Sequence, residues 1–343
     1  MNHPDHPSDD ARALARQTWA RAATADESLD LERASTDAGF RSYWRGTVSE
    51  AGGTKSVIVM DSPPDKEDVR PWLRVRDLLE RGGVRVPQVI AQDLQAGFLL
   101  LEDLGAQTLL NVLHEDNADA LLDAAVAQLL KLQAIPCPDD LPAYDAALLM
   151  RELRLFDEWF LGRHLGITLS EDENRQLDIA YRLLIAAALD QPQVLVHRDY
   201  MPRNLMPLPA GEGPAVLDFQ DAVRGPVAYD PVSLFRDAFL SWPPQRVDAW
   251  LDRYHARAQQ AGLPVPTLAR FRHDADLIGA QRHLKVIGIF ARLCHRDSKP
   301  KYVADVPRFV AYLDEVLPRY PELAPVSNII DRHVRPRLLE TVA

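Results

Sequence analysis

VLVHRDYMPRNLMPLPAGEGPAVLDFQD, residues 194 to 221, is the stretch on which the reading of this chain turns. Apolar runs at either end read as short strands, with Pro- and Gly-punctuated chain between them. His197-Arg198-Asp199 follows the first run, Asn204 stands five residues after the aspartate, and Asp218 comes fourteen residues later, before Phe219. Each part suits phosphoryl transfer. An incoming hydroxyl needs a carboxylate to orient it and accept its proton, the role expected of Asp199. A triphosphate travels with Mg²⁺, a hard ion that prefers oxygen ligands, and Asn204 and Asp218 can supply these from the two sides of a hairpin. Arg203 is placed to neutralise charge on the transferring group; a surface salt bridge is its ordinary alternative. His197 is expected to brace the loop, and Asp230, just before Pro231, to cap a helix. Singly these residues are commonplace; the spacing of the set is not.

Working back toward the start, DARALARQTWARAA (10–23) reads as a short helix. LERAST, FRSYWRGTVS and KSVIVMD then form short β-branched or aromatic runs separated by glycines. DKEDVRPWLRVRDLLERGG places Trp72, Val75, Leu78 and Leu79 at helical spacing and stops at Gly82-Gly83. VPQVIAQDLQAGFLLLEDLG adds two more strands. Residues 30 to 103 are therefore expected to form a five-stranded antiparallel sheet carrying one helix. Beyond Gly105 the pattern is helical, with helices expected at 117–134, 147–165, 171–189, 231–240, 245–261, 267–293 and 304–317. The fold class is α+β, in two lobes: a β-rich lobe over 1–101 and a helical lobe over 102–343. A nucleotide is expected in the cleft between them.

Composition removes other classes. A net charge of −11 without a basic cluster argues against nucleic acid and anionic membrane surfaces as partners. No apolar run is long enough to span a bilayer, and the first residues lack the pattern of a secretory signal. The two cysteines, Cys137 and Cys294, cannot build a disulfide framework, so a cytoplasmic, reducing location is expected. A monomer is the expectation for oligomeric state.

The Asp199–Asn204 spacing with LDF resembles the catalytic loop and metal aspartate of protein kinases. Its sequel, DFQDAVRGPVAYDPVSLFRD, is similar to the aminoglycoside phosphotransferase and choline kinase branch, over roughly residues 30 to 320. That resemblance implies a bilobal protein-kinase-like fold using ATP and Mg²⁺, with Asp199 as base and Asn204 and Asp218 as metal ligands. It also places the adenine edge against the backbone near Glu102 to Leu104 in FLLLEDLG. The phosphate-covering turn falls at ASTDAGFRSYW, where Ser35, Thr36 and Gly39 stand. One part of the kinase pattern is missing. The lysine expected on the third strand is Met60, and the following helix has no acid between Asp68 and Asp77. Lys55, Arg41 or Arg45 are candidate replacements.

YMPRNLM, MDSPPD and QRHLKVIGIFARLCHRDSKPKYVADVPRF further resemble the anomeric amino-sugar kinases of peptidoglycan recycling, which act on N-acetylmuramate and N-acetylglucosamine. The resemblance implies a small amino-sugar substrate. Arg282, His283, Lys285 and Arg292 share one expected helix, either as a cationic pocket for the lactyl carboxylate or as a solvated basic face. Two other readings differ in class. An aminoglycoside kinase would use acidic clusters such as HEDNADALLD (114–123). A nucleotide-sensing pseudokinase should lack Asp199, Asn204 or Asp218, and all three are present.

Overall fold

The computed structural model describes residues 9–35, 40–50, 53–209 and 212–340. The chain divides into two compact units, one comprising the chain to Leu109 together with Met206–Gln220, the other Leu110–Leu205 and the chain from Asp221. Beside the expected boundary after residue 101, the first unit thus runs further and takes back a later segment.

The first unit holds helix α1 (Asp9–Thr24), strands β1 (Leu31–Ser35), β2 (Ser42–Glu50) and β3 (Gly53–Asp61), helix α2 (Arg70–Arg81), and strands β4 (Val89–Asp93) and β5 (Phe98–Glu102). The five strands form one antiparallel sheet, as expected, in the order β1-β2-β3-β5-β4. α2 starts with Pro71 in its first turn, and its C-terminal carbonyls are met by the Gly82 and Gly83 amides, Gly83 taking φ +76°. One side of the sheet, through Val48, Val57, Val59 and Leu100, encloses Ala20 of α1 and Leu29.

The second unit is helical around one strand pair. Its elements include α3 (Leu109–Val112, entered from the first unit), α4 (Ala118–Gln133), α5 (Ala146–Leu155), a π-helical segment Phe156–His164 and α6 (Glu171–Asp190). Strand β6 (Gln193–Val196) leads to the loop that carries His197, Arg198 and Asp199. β7 (Leu205–Met206) and β8 (Ala215–Val216) pair where the chain passes to the first unit, and β9 (Val223–Pro226) returns antiparallel to β6. Then follow α7 (Tyr229–Phe235), α8 (Pro244–Gln260), α9 (Leu268–Asp297), α10 (Val306–Val316), α11 (Ala324–Ile329) and α12 (Arg335–Glu340). α6 opens with a reciprocal Ser170–Glu173 capping box and α9 with the Thr267 hydroxyl accepting from Arg270 N–H.

Three expectations change. The helix expected over 147–165 switches to π-helical bonding after Leu155. A Cβ on Gly288 of α9 would lie 2.4 Å from the Leu155 carbonyl oxygen, so α9 abuts the chain where the bonding changes. The helix expected over 231–240 ends at Phe235, because Asp237 Oδ1 accepts from the Phe239 and Leu240 amides and closes a turn instead. Finally, α3, α11 and α12 had no sequence counterpart; each is only four to six residues long. Helices this short leave too few turns for a periodic signal.

Candidate active site

The loop that carries Asp199 leaves β6 and is held by Asp230. One Asp230 oxygen accepts the His197 amide at 2.7 Å, the other the Arg198 amide at 3.1 Å. Asp230 lies inside α7 and does not cap it; the expected N-cap is a brace for the loop. Burial drives its carboxyl up to about 6, against the pull of His197 and the two amides. His197 braces the loop as expected, its Nδ1 accepting the Asp199 amide at 3.2 Å. Between them Arg198 takes φ +76°, a left-handed conformation that is costly for a residue with a side chain.

Asp199 is half-buried. Burial would raise its carboxyl, but Lys285, Arg282, Arg198 and His197 together hold it below the ordinary range. It is therefore an ionised carboxylate at neutral pH. Asn204 is five residues on, and its Nδ2 donates to the Asp199 carbonyl at 2.8 Å. That bond leaves the amide oxygen as the atom available to a hard cation. The structure thus brings Asp199 and Asn204 together. Arg203 is exposed and lies over the Phe239 ring, 5.2 Å from its centroid.

Asp218 belongs to the other unit. It is exposed, has φ +60°, and its Oδ1 accepts from Gln220 Nε2 at 2.8 Å. An exposed carboxylate in a strained turn after β8 fits an oxygen donor to a metal. The side-chain oxygens of Asn204 and Asp218 are the donor type that Mg²⁺ prefers.

The remaining expected residues lie in the first unit. Ser35 ends β1 beside a break in register and is exposed. Thr36 and Gly39 lie outside the described residues. The Glu102 carboxylate is committed to Arg85, and its amide donates to the Gln88 carbonyl at 2.9 Å. Leu104 follows the strand in irregular, half-buried chain.

Met60 is buried on β3; of the three candidate substitutes for the missing lysine, Lys55 is exposed on the same strand, and the two arginines are engaged with acids. Arg45 pairs with Asp103 at 2.6 Å, and Arg41 with Glu67 at 3.2 Å. The neighbour of Met60 is itself an acid. Asp61, 2% exposed, is bracketed by Arg12 and Arg16 of α1, each at 2.7 Å.

Glu152 had no place in the sequence reading. On α5 it lies among the buried Leu149, Leu153 and Leu155. An acid on an apolar helix face is the signal that was available for it. It accepts from Arg198 Nη2 at 2.5 Å, pairs with Lys285 Nζ at 3.1 Å and takes a hydrogen bond from the Tyr144 hydroxyl. Burial pushes its carboxyl up, and Lys285 and Arg198 more than reverse this, leaving it lowered. Glu152 thereby fixes the two cations that flank Asp199. The alternative of a solvated basic face on α9 is excluded, since Arg282, His283 and Lys285 are 1%, 0% and 4% exposed.

The acidic segment 114–123 is also engaged. Asp119 binds Arg246, Arg253 and the Trp250 indole, and Asp123 pairs with Arg257. Those carboxylates have internal partners that a polycationic ligand would have to displace.

A family model described as the phosphotransferase enzyme family (APH) matches residues 30–272. The N-acetylmuramate/N-acetylglucosamine kinase of Pseudomonas putida is 52% identical over 301 residues, which is 88% of this chain and 87% of that protein. Its namesake from Pseudomonas aeruginosa is 48% identical over 334 residues, 94% of this chain and 97% of its own. Among solved structures, the ethanolamine kinase of Plasmodium vivax matches with a TM-score of 0.61 at 9% identity, over 91% of this chain and 90% of that one, a likeness of fold alone. With the kinase-like loop intact and the model spanning most of its length, the chain belongs to the phosphotransferase enzyme family.

Proposed function

We propose that this protein is an ATP-dependent kinase that phosphorylates the anomeric hydroxyl of N-acetylmuramate and N-acetylglucosamine, giving the α-1-phosphates in peptidoglycan recycling. The observation that carries this reading is 52% and 48% identity to relatives bearing that kinase name, over nearly the whole chain, with Asp199, Asn204 and Asp218 all present.

In this reading Asp199 orients the hydroxyl at carbon 1 and takes its proton as the oxygen bonds to the γ-phosphorus. The bond to the β-phosphate oxygen breaks, and ADP leaves. The low carboxyl pKa of Asp199 keeps it ready to accept that proton. Mg²⁺ would supply charge neutralisation on the phosphates, held by the oxygens of Asn204 and Asp218. Backbone groups of Leu104 and its neighbours are proposed for the adenine edge, since the Glu102 amide and carboxylate are both engaged. Ser35, Thr36 and Gly39 are proposed for the phosphate-covering turn, and Arg203 for the transferring group.

The test is product identity. Purified protein with ATP, Mg²⁺ and each sugar should yield a phosphate bonded at carbon 1, seen by phosphorus NMR coupling and labile to mild acid. A phosphate at any other ring position rejects the anomeric reading. Turnover of aminoglycosides but of neither sugar rejects the amino-sugar reading altogether.

A further inference from the structure

Helix α9 buries a guanidinium whose hydrogen-bonding capacity is largely unused. Arg282 is 1% exposed and donates one bond, from Nη1 to the Arg236 carbonyl at 3.3 Å. Its Nε and Nη2 are buried and have no hydrogen-bond partner among the described residues. The other buried cations nearby are answered. Lys285 and Arg198 share Glu152, and Arg236 binds Asp276 at 3.1 Å. A desolvated guanidinium with idle N–H groups is unfavourable unless something supplies the missing acceptor.

The surroundings of Arg282 are those of the catalytic loop. Its single bond reaches Arg236, the first residue after α7. The turn that follows carries Asp237, whose Oδ2 is also buried without a hydrogen-bond partner among the described residues, and Phe239, on which Arg203 of the 197–204 loop lies. Arg282 also contributes to holding the Asp199 carboxyl down. The idle pair, Nε and Nη2, is the edge of a guanidinium that binds a planar carboxylate side-on through two parallel bonds.

The two proposed sugars differ in one respect: N-acetylmuramate carries a lactyl carboxylate where N-acetylglucosamine has a hydroxyl. Resting on the amino-sugar reading above, we propose that Arg282 binds this carboxylate through Nε and Nη2, and so sets the preference between an anionic and a neutral amino sugar. Asp237, pinned through Oδ1 by the Phe239 and Leu240 amides, keeps its other oxygen for a sugar hydroxyl or amide donor. Lys285 is excluded from the carboxylate role because Glu152 and the Tyr229 hydroxyl hold it.

The experiment compares kcat/KM for both sugars in the wild type and in Arg282→Gln. The ratio of N-acetylmuramate to N-acetylglucosamine should fall roughly 10²-fold, mostly through KM, whatever loss the two share, because a charged hydrogen-bonded pair is removed for one substrate only. An unchanged ratio overturns the proposal and makes Arg282 a phosphate-side or purely structural group. A second measurement needs no variant. The methyl ester of N-acetylmuramate should be turned over by the wild type far less well than the free acid, and equal turnover overturns the assignment. If the wild type phosphorylates neither sugar, the amino-sugar reading fails first and this proposal falls with it, an outcome distinct from a wild type active on both sugars with an unmoved ratio.

Discussion

Lys285 Nζ lies 3.1 Å from the Glu152 carboxylate and 3.0 Å from the Tyr229 hydroxyl, with the lysine and the acid both buried. One turn further along each helix, Gly288 meets the Leu155 backbone too closely for any side chain. The close approach of α9 and α5 therefore carries the ion pair, and Glu152 also holds Arg198 at the root of the loop that carries Asp199.

Asp199→Ala should lower turnover by roughly 10²–10⁴-fold, the usual contribution of a positioned general base. Nucleotide affinity should be retained. Coupled assay of ADP release, with nucleotide titration by calorimetry, checks both; turnover within a few-fold of wild type would remove Asp199 from the base role.

Asn204→Ala should leave a protein that needs more magnesium for half-maximal rate. The lost bond to the Asp199 carbonyl should cost about 1 kcal/mol of stability in addition. A magnesium titration at saturating sugar separates the two effects, and an identical metal dependence counts against ligation by Asn204.

Glu152→Gln should destabilise the fold by about 3–5 kcal/mol at neutral pH, because Lys285 and Arg198 lose their shared counter-charge. The sign of the pH dependence follows from a carboxyl lowered below its ordinary 4.5. Its contribution is complete above that value and is lost as pH falls through the folded-state value. Urea unfolding should show a wide gap between wild type and variant at pH 7 that narrows in acid. A gap that widens in acid contradicts the ion-pair account.

Gly288→Ala should cost about 1–3 kcal/mol, since the new methyl meets backbone atoms of Leu155 at 2.2 and 2.4 Å, and backbone cannot swing aside as a flexible side chain does. Denaturation midpoints measure it. A neutral outcome would mean that α9 and α5 are free to separate.

The sheet and its order of elements were legible because strands near a glycine or proline announce themselves by local pattern, as KSVIVMD and FLLLEDLG do. That Asp199 and Asn204 come together was legible because they sit on one loop, where spacing in sequence limits spacing in space. Glu152, Lys285 and Arg282 were not, because their partners lie 46 to 133 residues away along the chain and nothing local marks which acid answers which base. Arg282 and Lys285 stood out as a cationic run on one helix, yet sequence alone left open whether that face was solvated. Asp230 was misjudged for the opposite reason. The residue before a proline at a helix start has an obvious local explanation, and its actual partners are the His197 and Arg198 amides, over 30 residues earlier.

The family match begins at residue 30, whereas helix α1 ends at Thr24. That helix supplies Arg12 and Arg16 to the otherwise enclosed Asp61, lays Trp19 5.5 Å from the Phe98 ring and buries Ala20 against the sheet. A fragment begun at the start of the family match would strand a negative charge beside Met60. In designing shortened or fused versions of this enzyme, the leading helix is part of the sheet's scaffold and cannot be trimmed as a tail.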